Sequence, residues 1–507
     1  MTFKTSRAWC VIGCAAAAAI ACSAGKVPAQ LPDAGTCTGG DCGSGSGGPP
    51  PSGASCSDAS FAFCDGFEDG PSQAPGRAGD LDPARWSAAR LSPQEIASPG
   101  KANPAPAGPI PACRGSLTNV YPNQDTLICD STATRSRQLL TAAVMHNYGI
   151  NSYRIRQPFD FAGRTGRIVF DVDAVMISGL AAWMSVEITE DPIGTVSYTE
   201  FERGPLPKNG IEIQLNNDQC LLGGKSGISV GMANVYQNYV LTNATPVYPS
   251  NWTFPDCVAT KQGSLNHFEI QLSQSRIDVF GSDPSTDDGA TFPNFHKIAS
   301  GTINLNFTQG WVHLTAHNHA TIKYGFGGDW VYRWDNVGFD GPVIANWREY
   351  EIPDALTLSG TDMNTGYTVG DGTGSVPKGI STCCDAAGNR TPVAHLTFNG
   401  VDVTNAASAT LALSAFYLTG WPGETTDLTQ LDLQYRWNGG TWRDRFITAA
   451  EAATLQGVYQ MGNLTQTIDV PLADLKQGTN TLEFNTVNLP QSYPTVVANI
   501  DLVIRTK

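Results

Sequence analysis

Four stretches of this chain carry side chains whose types and spacing could do chemistry. Trp183, Ser185 and Glu187 alternate with Met184, Val186 and Ile188, and Glu212 and Gln214 alternate with Ile211, Ile213 and Leu215. His267, Glu269 and Gln271 alternate with Phe268, Ile270 and Leu272, and His313, Thr315, His317 and His319 share a parity opposed to Val312, Leu314 and Ala316. Two carboxylates held close together can hydrolyse an acetal, one as acid and one as base or nucleophile. Histidine with glutamine offers a base and a neutralising donor for an elimination. His317 and His319, about 7 Å apart at Cα on one strand face, have a chelating spacing. The plainer role of every one of these residues is the wet face of an antiparallel sheet.

Strict alternation is the period of a β-strand, so each stretch predicts a strand with one dry and one polar face. If the four strands are neighbours, their polar sides line one groove. Trp183 would then stack on a sugar ring among Gln214, His267, His313, His317 and His319, with Glu187, Glu212 and Glu269 as the carboxylates of any catalysis. The fourth strand belongs to Gly310 to Pro342, which reads as two strands, Trp311 to Tyr324 and Trp330 to Phe339, joined by a glycine-rich turn. Trp330, Tyr332 and Trp334 would stud the polar front with rings.

The chain has 507 residues, enough for two domains, with 53 glycines, 32 prolines and only 15% charged residues, a turn-rich all-β composition. Its formal charge of −15 disfavours nucleic acid and anionic membrane as partners. Lys4 and Arg7 precede an apolar run from Ala8 to Ala21 that is short for a bilayer span, which reads as an export signal over residues 1–21. Ala19-Ile20-Ala21-Cys22 resembles a bacterial lipobox, which implies lipidation of Cys22 and an outer-membrane or cell-surface location; a plain secretory signal cut near Ala24 is the alternative. Residues 22–57 are rich in Gly, Ser and Pro and read as a flexible tether. Ten further cysteines in an exported chain suggest disulfides, and nearest-neighbour pairing gives Cys37–Cys42, Cys56–Cys64, Cys113–Cys129, Cys220–Cys257 and Cys383–Cys384, a connectivity that sequence leaves open. Cys-x-x-Cys is absent, which argues against zinc.

CDGFEDG and LDPARW near the start, SYRIRQPFDFAGRTGRIVFDVDA in the middle and YRWDNVGFDGP at the end resemble strands of the concanavalin A-like lectin/glucanase jelly roll over residues 58–345. A linker near Ala345 to Pro353 leads to a second, smaller β-sandwich over residues 346–507, whose PLADLKQGTNTLEF is similar to closing strands of galactose-binding-like and carbohydrate-binding jelly rolls. The superfamily spans lectins, laminin-G-like modules, glycanases and lyases, so the resemblance implies a fold more than an activity. Glycanases of this group usually carry Glu-x-Asp-x-x-Glu or Glu-x-Asp-x-Glu on one strand; this chain reads Glu187-Ile188-Thr189-Glu190-Asp191, with threonine in place of the aspartate. The Arg-x-Glu-x-Arg and Gln-x-His patterns of alginate lyases are missing too. The resemblance implies a structural calcium where first and last strands meet, with Glu68 and Asp335 as oxygen ligands. In the second domain, Tyr435, Trp437 and Trp442 around Asn438-Gly439-Gly440 read as packing aromatics of a hairpin rather than as a sugar platform.

The expectation is an all-β protein, a concanavalin A-like sandwich followed by a smaller one, anchored by lipid and binding polysaccharide or glycoconjugate on the concave face with no required cofactor. A glycan hydrolase or lyase using the same face is the alternative, and a structural surface protein the third.

Overall fold

The computed structural model describes residues 56, 61–69, 77–91, 126–130, 138–144, 150–173, 182–192, 207–216, 220, 224, 226–238, 240–242, 252–253, 256–261, 263–286, 291–318, 330–341, 346–352, 366–369, 394–416, 432–449, 451, 464–487 and 495–507. Cys22, Cys37, Cys42, Cys113, Cys383, Cys384 and His319 lie outside the described residues, as do the side chains of Cys129, Trp183 and His317. The export signal, the tether and three of the five cysteine pairings therefore lie outside them as well. The chain divides after Gly47, and all the described residues belong to the larger unit, Gly48–Lys507.

Almost every described segment of the larger unit is strand. In chain order these are β1 (Phe61–Asp65), β2 (Trp86–Leu91), β3 (Thr126–Asp130), β4 (Gln138–Val144), β5 (Ile150–Ile155), β6 (Phe159–Asp160), β7 (Gly166–Val172), β8 (Ala182–Thr189) and β9 (Asn209–Asn216). There follow β10 (Ser229–Gln237), β11 (Val240–Leu241), β12 (Trp252–Thr253), β13 (Asn266–Leu272), β14 (Arg276–Gly281), β15 (His296–Thr302), β16 (Gln309–Asn318) and β17 (Trp330–Asp340). The remainder are β18 (Trp347–Glu351), β19 (Gly366–Val369), β20 (Ala394–Val401), β21 (Ala406–Phe416), β22 (Asp432–Trp437), β23 (Leu464–Asp469), β24 (Gly478–Val487) and β25 (Thr495–Thr506).

One sheet runs β12-β15-β14-β13-β7-β17-β4-β3 with β1 beside β17, and a second runs β11-β10-β9-β8-β16-β5-β2 with β6 beside β16. Their apolar parities face each other. Phe268 opposes Phe170 and Ile270 opposes Ile168 across β13 and β7, and these side chains join Val186, Ile188, Ile213, Val312 and Leu314 of the other sheet in one buried core. A sheet pair enclosing one core is the β-sandwich that the alternation predicts. The second core, with Phe398, Leu411, Leu413, Trp437, Leu482, Phe484 and Leu502, is enclosed by the sheets β18-β25-β21-β23 and β20-β24-β22. Tyr435 and Trp437 are buried in it, in the packing role expected of them.

Three expectations change. β16 and β17 are not two strands of one face: they lie in different sheets, and Tyr332 and Trp334 point inward, stacked at 5.9 Å in the core, because an aromatic ring gains more from burial between sheets than from water. Within WDNVGFDGP, Asn336 takes a φ of 46° and the register with β7 slips between Asp335 and Gly338, a bulge that lets Trp334, Val337 and Phe339 all face the core. Gly338 is required there, since a Cβ would lie 2.5 Å from that of Cys56. The segment expected as a linker near residues 345–353 contains β18, paired along its whole length with β25.

The two sandwiches meet through buried charge. Arg77 donates to the carbonyls of Ala88 (2.8 Å) and Ile352 (3.2 Å), to Ser87 Oγ (3.1 Å) and to Asp501 (2.6 Å). Arg154 makes a two-pronged bond to Glu349, and Arg156 pairs with Glu351 at 3.0 Å. Such pairs are not driven together by exposure to salt or solvent, and losing one member would strand another charge away from water. Cys56–Cys64 and Cys220–Cys257 are bonded, as nearest-neighbour pairing expects.

Candidate functional site

The polar row of the second sheet is built by register. Ser87 lies opposite Arg154, Arg154 opposite His313, His313 opposite Glu187, Glu187 opposite Glu212, and Glu212 opposite Asn234. Six strands thus place six polar side chains in one line across the sheet. A parallel row beside it holds Ser152, Thr315, Ser185 and Gln214.

Glu187 and Glu212 are its centre. Directly opposed residues have Cβ atoms about 4.5–5.5 Å apart, so the two carboxyls sit within reach of each other. Both are fully buried. Glu212 accepts hydrogen bonds from Gln214 Nε2 (2.9 Å) and Asn234 Nδ2 (3.0 Å), and Ser185 Oγ donates to Glu187 at 3.3 Å. Burial raises the pKa of Glu212 above its usual value, and the bonds from Asn234 and Gln214, with Ser185 and Tyr236 beside them, hold back part of that rise. Two carboxyls in one dry site do not both ionise readily, so the pair is suited to hold one proton between them.

His313 has a different character. Thr189 Oγ1 spends its only proton on the carbonyl of Asp191 (2.6 Å), so it accepts from His313 Nε2 at 2.8 Å. Nδ1 is then the acceptor, taking the Ser152 hydroxyl at 3.3 Å while Ser152 accepts from Thr315. Both ring nitrogens are used, and burial followed by the nearby Arg154 guanidinium holds the imidazole well below its usual pKa. His313 is thus neutral, with both ring nitrogens bonded inside the sheet.

His267 and Glu269 do not join this row. They belong to β13 in the other sheet, where inward Phe268 and Ile270 turn them to the opposite outer surface. Alternation fixes which residues share a face of their own strand but not which sheet the strand enters, and that is why the four-strand groove expected from sequence separates into two faces. On its own side His267 Nδ1 contacts Asp171 at 2.6 Å, under the rings of Phe292 and Phe295. Glu269 accepts from Gln271 there. The residues that the sequence reading missed, Ser152, Arg154 and Asn234, follow the same alternation as those it found, and Ser152 and Arg154 stand in the SYRIRQ stretch quoted for its fold alone.

Glu68 and Asp335 do come together. A Cβ on Gly66 would lie 3.9 Å from Asp335 Oδ1, 3.9 Å from Glu68 Cγ and 3.5 Å from Asn336 Oδ1, so three oxygen-bearing side chains gather round a residue that has none. Calcium takes 6–8 oxygens, and among the described residues no group of three or more His, Cys, Asp or Glu could hold a metal. These side chains fit a calcium only as part of a shell completed by carbonyls and water.

No protein-family model matches the sequence, and no curated protein matches it. Solved structures with a similar fold include the VIP36 exoplasmic/lumenal domain in its Ca2+/Man3GlcNAc-bound form, 14% identical, covering 43% of this chain and 85% of that one at a TM-score of 0.26. Others are a glycosyl hydrolase family 16 protein from Mycobacterium smegmatis, 14% identical, covering 55% and 100% at 0.28, and a β-1,3-glucanase from Mycobacterium marinum, 10% identical, covering 56% and 99% at 0.28. These likenesses are partial, and the all-β sandwich architecture rests on the two pairs of sheets described above.

Proposed function

We propose that this protein acts on extracellular polysaccharide at the polar face of the β8–β9–β16 sheet, and that it cleaves the chain with Glu212 as proton donor and Glu187 as its ionised partner. The observation that carries this reading is the register that sets the two glutamates face to face among amide and hydroxyl side chains. An acid with a raised pKa beside a carboxylate is the division of labour that glycoside hydrolysis needs. Threonine at position 189, where related glycanases place aspartate, fits a chain that has moved its second carboxylate to the neighbouring strand. A bound calcium would sit at Glu68 and Asp335, remote from this row, and would stabilise fold rather than chemistry.

The test is the full-length protein assayed on neutral polysaccharides (laminarin, lichenan, xylan, galactomannan), scoring retention and new reducing ends together. Cleavage of one of them supports the reading, and retention without reducing ends reduces it to carbohydrate binding. Neither outcome on any glycan favours the structural alternative, for which the complete burial of Glu187, Glu212 and His313 is the specific observation.

The lipid anchor at Cys22 belongs to the same proposal. Metabolic labelling with a palmitate analogue is expected in the wild type and lost in Cys22→Ala; persistent labelling of the variant would overturn it.

A further inference from the structure

The outer face of the sheet β20-β24-β22 presents two aromatic rings to solvent, and from their setting we infer that the second sandwich carries a binding site for neutral polysaccharide, separate from the row of Glu187 and Glu212. That row is buried; this face is open. The site goes beyond the cleavage proposed above and does not depend on it.

Leu433, Tyr435 and Trp437 of β22 are buried in the second core, so Gln434 and Arg436 face the other way. The chain turns back through Asn438 and Gly439, whose φ values of 54° and 69° are those of the two-residue hairpin that an Asn-Gly pair favours. Asn438 fixes the turn by donating to the Asp474 carbonyl and to Asn480 Oδ1, both at 2.9 Å. The returning segment follows β22 in antiparallel register: Arg443 and Tyr435 exchange backbone bonds of 2.8 and 3.0 Å, and Leu433 N donates to the Arg445 carbonyl at 3.3 Å. Alternation then puts Trp442, Asp444 and Phe446 on the outer face beside Gln434 and Arg436. The contacts agree, since Gln434 donates to Asp444 at 2.7 Å and the Arg436 guanidinium lies 4.5 Å from the centroid of the Trp442 ring.

Phe446 is 52% exposed and is, among the described residues, the one large apolar side chain so placed. Trp442 is half-buried. Four residues of extended chain set the two about 13 Å apart at Cα, the reach of a short oligosaccharide rather than of a single sugar. Aromatic surfaces on a polar face suit a ligand with apolar C–H faces and a hydroxylated rim. Charge narrows the class further. Arg436 is held in a two-pronged bond by Glu483 (2.6 and 3.0 Å), Arg443 by Asp474 (2.6 and 2.9 Å) and Arg445 by Glu451 (2.5 and 3.1 Å). Each of these guanidinium groups is matched by a carboxylate, so they offer an anionic polymer no surplus positive charge. A protein partner needs a contiguous apolar centre, which one exposed phenyl beside a half-buried indole does not supply. A neutral chain of sugars can stack on the rings while Gln434, Asp444 and the Arg436–Glu483 pair meet its hydroxyls.

The test is the migration of the full-length protein, wild type or carrying Phe446→Ala or Trp442→Ala, through native gels containing laminarin, lichenan, xylan, galactomannan or the anionic control alginate. The wild type should be slowed by at least one neutral glycan, with affinity about three- to tenfold weaker in each variant, the size of one ring-stacking contact. Because Phe446 is more than half exposed, its replacement should leave the denaturant midpoint unchanged, which separates a lost contact from a lost fold. Retention by a neutral glycan that Phe446→Ala leaves unaltered overturns the inference. So does a wild type that passes every neutral gel unslowed, or ring-dependent retention in alginate alone. The two readings fail separately: cleavage with ring variants that bind like the wild type removes this site and keeps the hydrolase, and ring-dependent retention without new reducing ends does the reverse.

Discussion

Glu212→Gln is expected to lower glycan cleavage by on the order of 10²–10⁴-fold, the usual contribution of a positioned proton donor, while leaving the fold in place. Gln keeps the side-chain volume and an acceptor oxygen, and the donors Gln214 and Asn234 remain within reach of it. Affinity for the glycan is expected to change little, so the loss appears in kcat. The pH dependence separates this from misfolding. Burial raises the pKa of Glu212, so the acid is loaded at low pH and activity declines as pH rises through that raised value. The variant should lack this alkaline limb. Stability moves in a matching way: a carboxyl whose pKa is raised on folding contributes stability below its unfolded value that is lost as pH rises through its folded value. Measured by denaturant titration, Glu212→Gln should therefore gain on the wild type as pH increases. Glu187→Gln should be equally inactive, because a neutral partner cannot balance positive charge developing on the sugar. Turnover unchanged in either variant would falsify the assignment of this pair.

Arg77→Met should destabilise the protein by about 3–5 kcal/mol near pH 8, the range for removing one member of a buried ion pair. Its guanidinium bonds the Ala88 and Ile352 carbonyls together with Ser87 and Asp501, so its loss leaves Asp501 of β25 without its nearest cation and Glu351 of β18 with Arg156 in place of two partners. Asp501 decides how that cost varies with pH. Burial pushes its pKa up to about 7 against the attraction of Arg77, with Glu349 adding to the rise. In the wild type this carboxyl contributes stability fully below about 4 that is lost as pH rises through about 7. At pH 5 the group already holds its proton, so the loss of Arg77 leaves no bare charge on Asp501, whereas at pH 8 the wild-type carboxyl is ionised and loses the cation that held it so. The expected result is a destabilisation clearly smaller at pH 5 than at pH 8, and partial rescue at pH 8 by adding Asp501→Asn. A cost that is small and flat across this range would mean that the cluster is solvated and does not hold the sandwiches together.

The period-two pattern alone determined most of the strands and which side chains share a strand face. Asp432 to Trp437 was legible to the residue, and Val312, Leu314 and Ala316 are buried opposite His313 as alternation requires, because the pleat leaves each residue only two directions. The aromatic and glycine pattern of WDNVGFDGP likewise pointed to the closing strand, although its bulge is visible only in the register. Sequence could not say which strands become neighbours, since pairing is settled by which apolar faces can be buried together over long separations of chain. That choice, made by the tertiary structure, brought Glu212 to Glu187 and sent Glu269 and His267 to the opposite surface. It also bonded both ring nitrogens of His313 within the sheet, to hydroxyls at positions 152 and 189 on the two neighbouring strands that no spacing rule connects to it. The ion-pair cluster at Arg154 was equally hidden. Charges on Arg77, Glu349 and Asp501, hundreds of residues apart, acquire a function only once two cores formed separately by local alternation are pressed together and water is excluded between them.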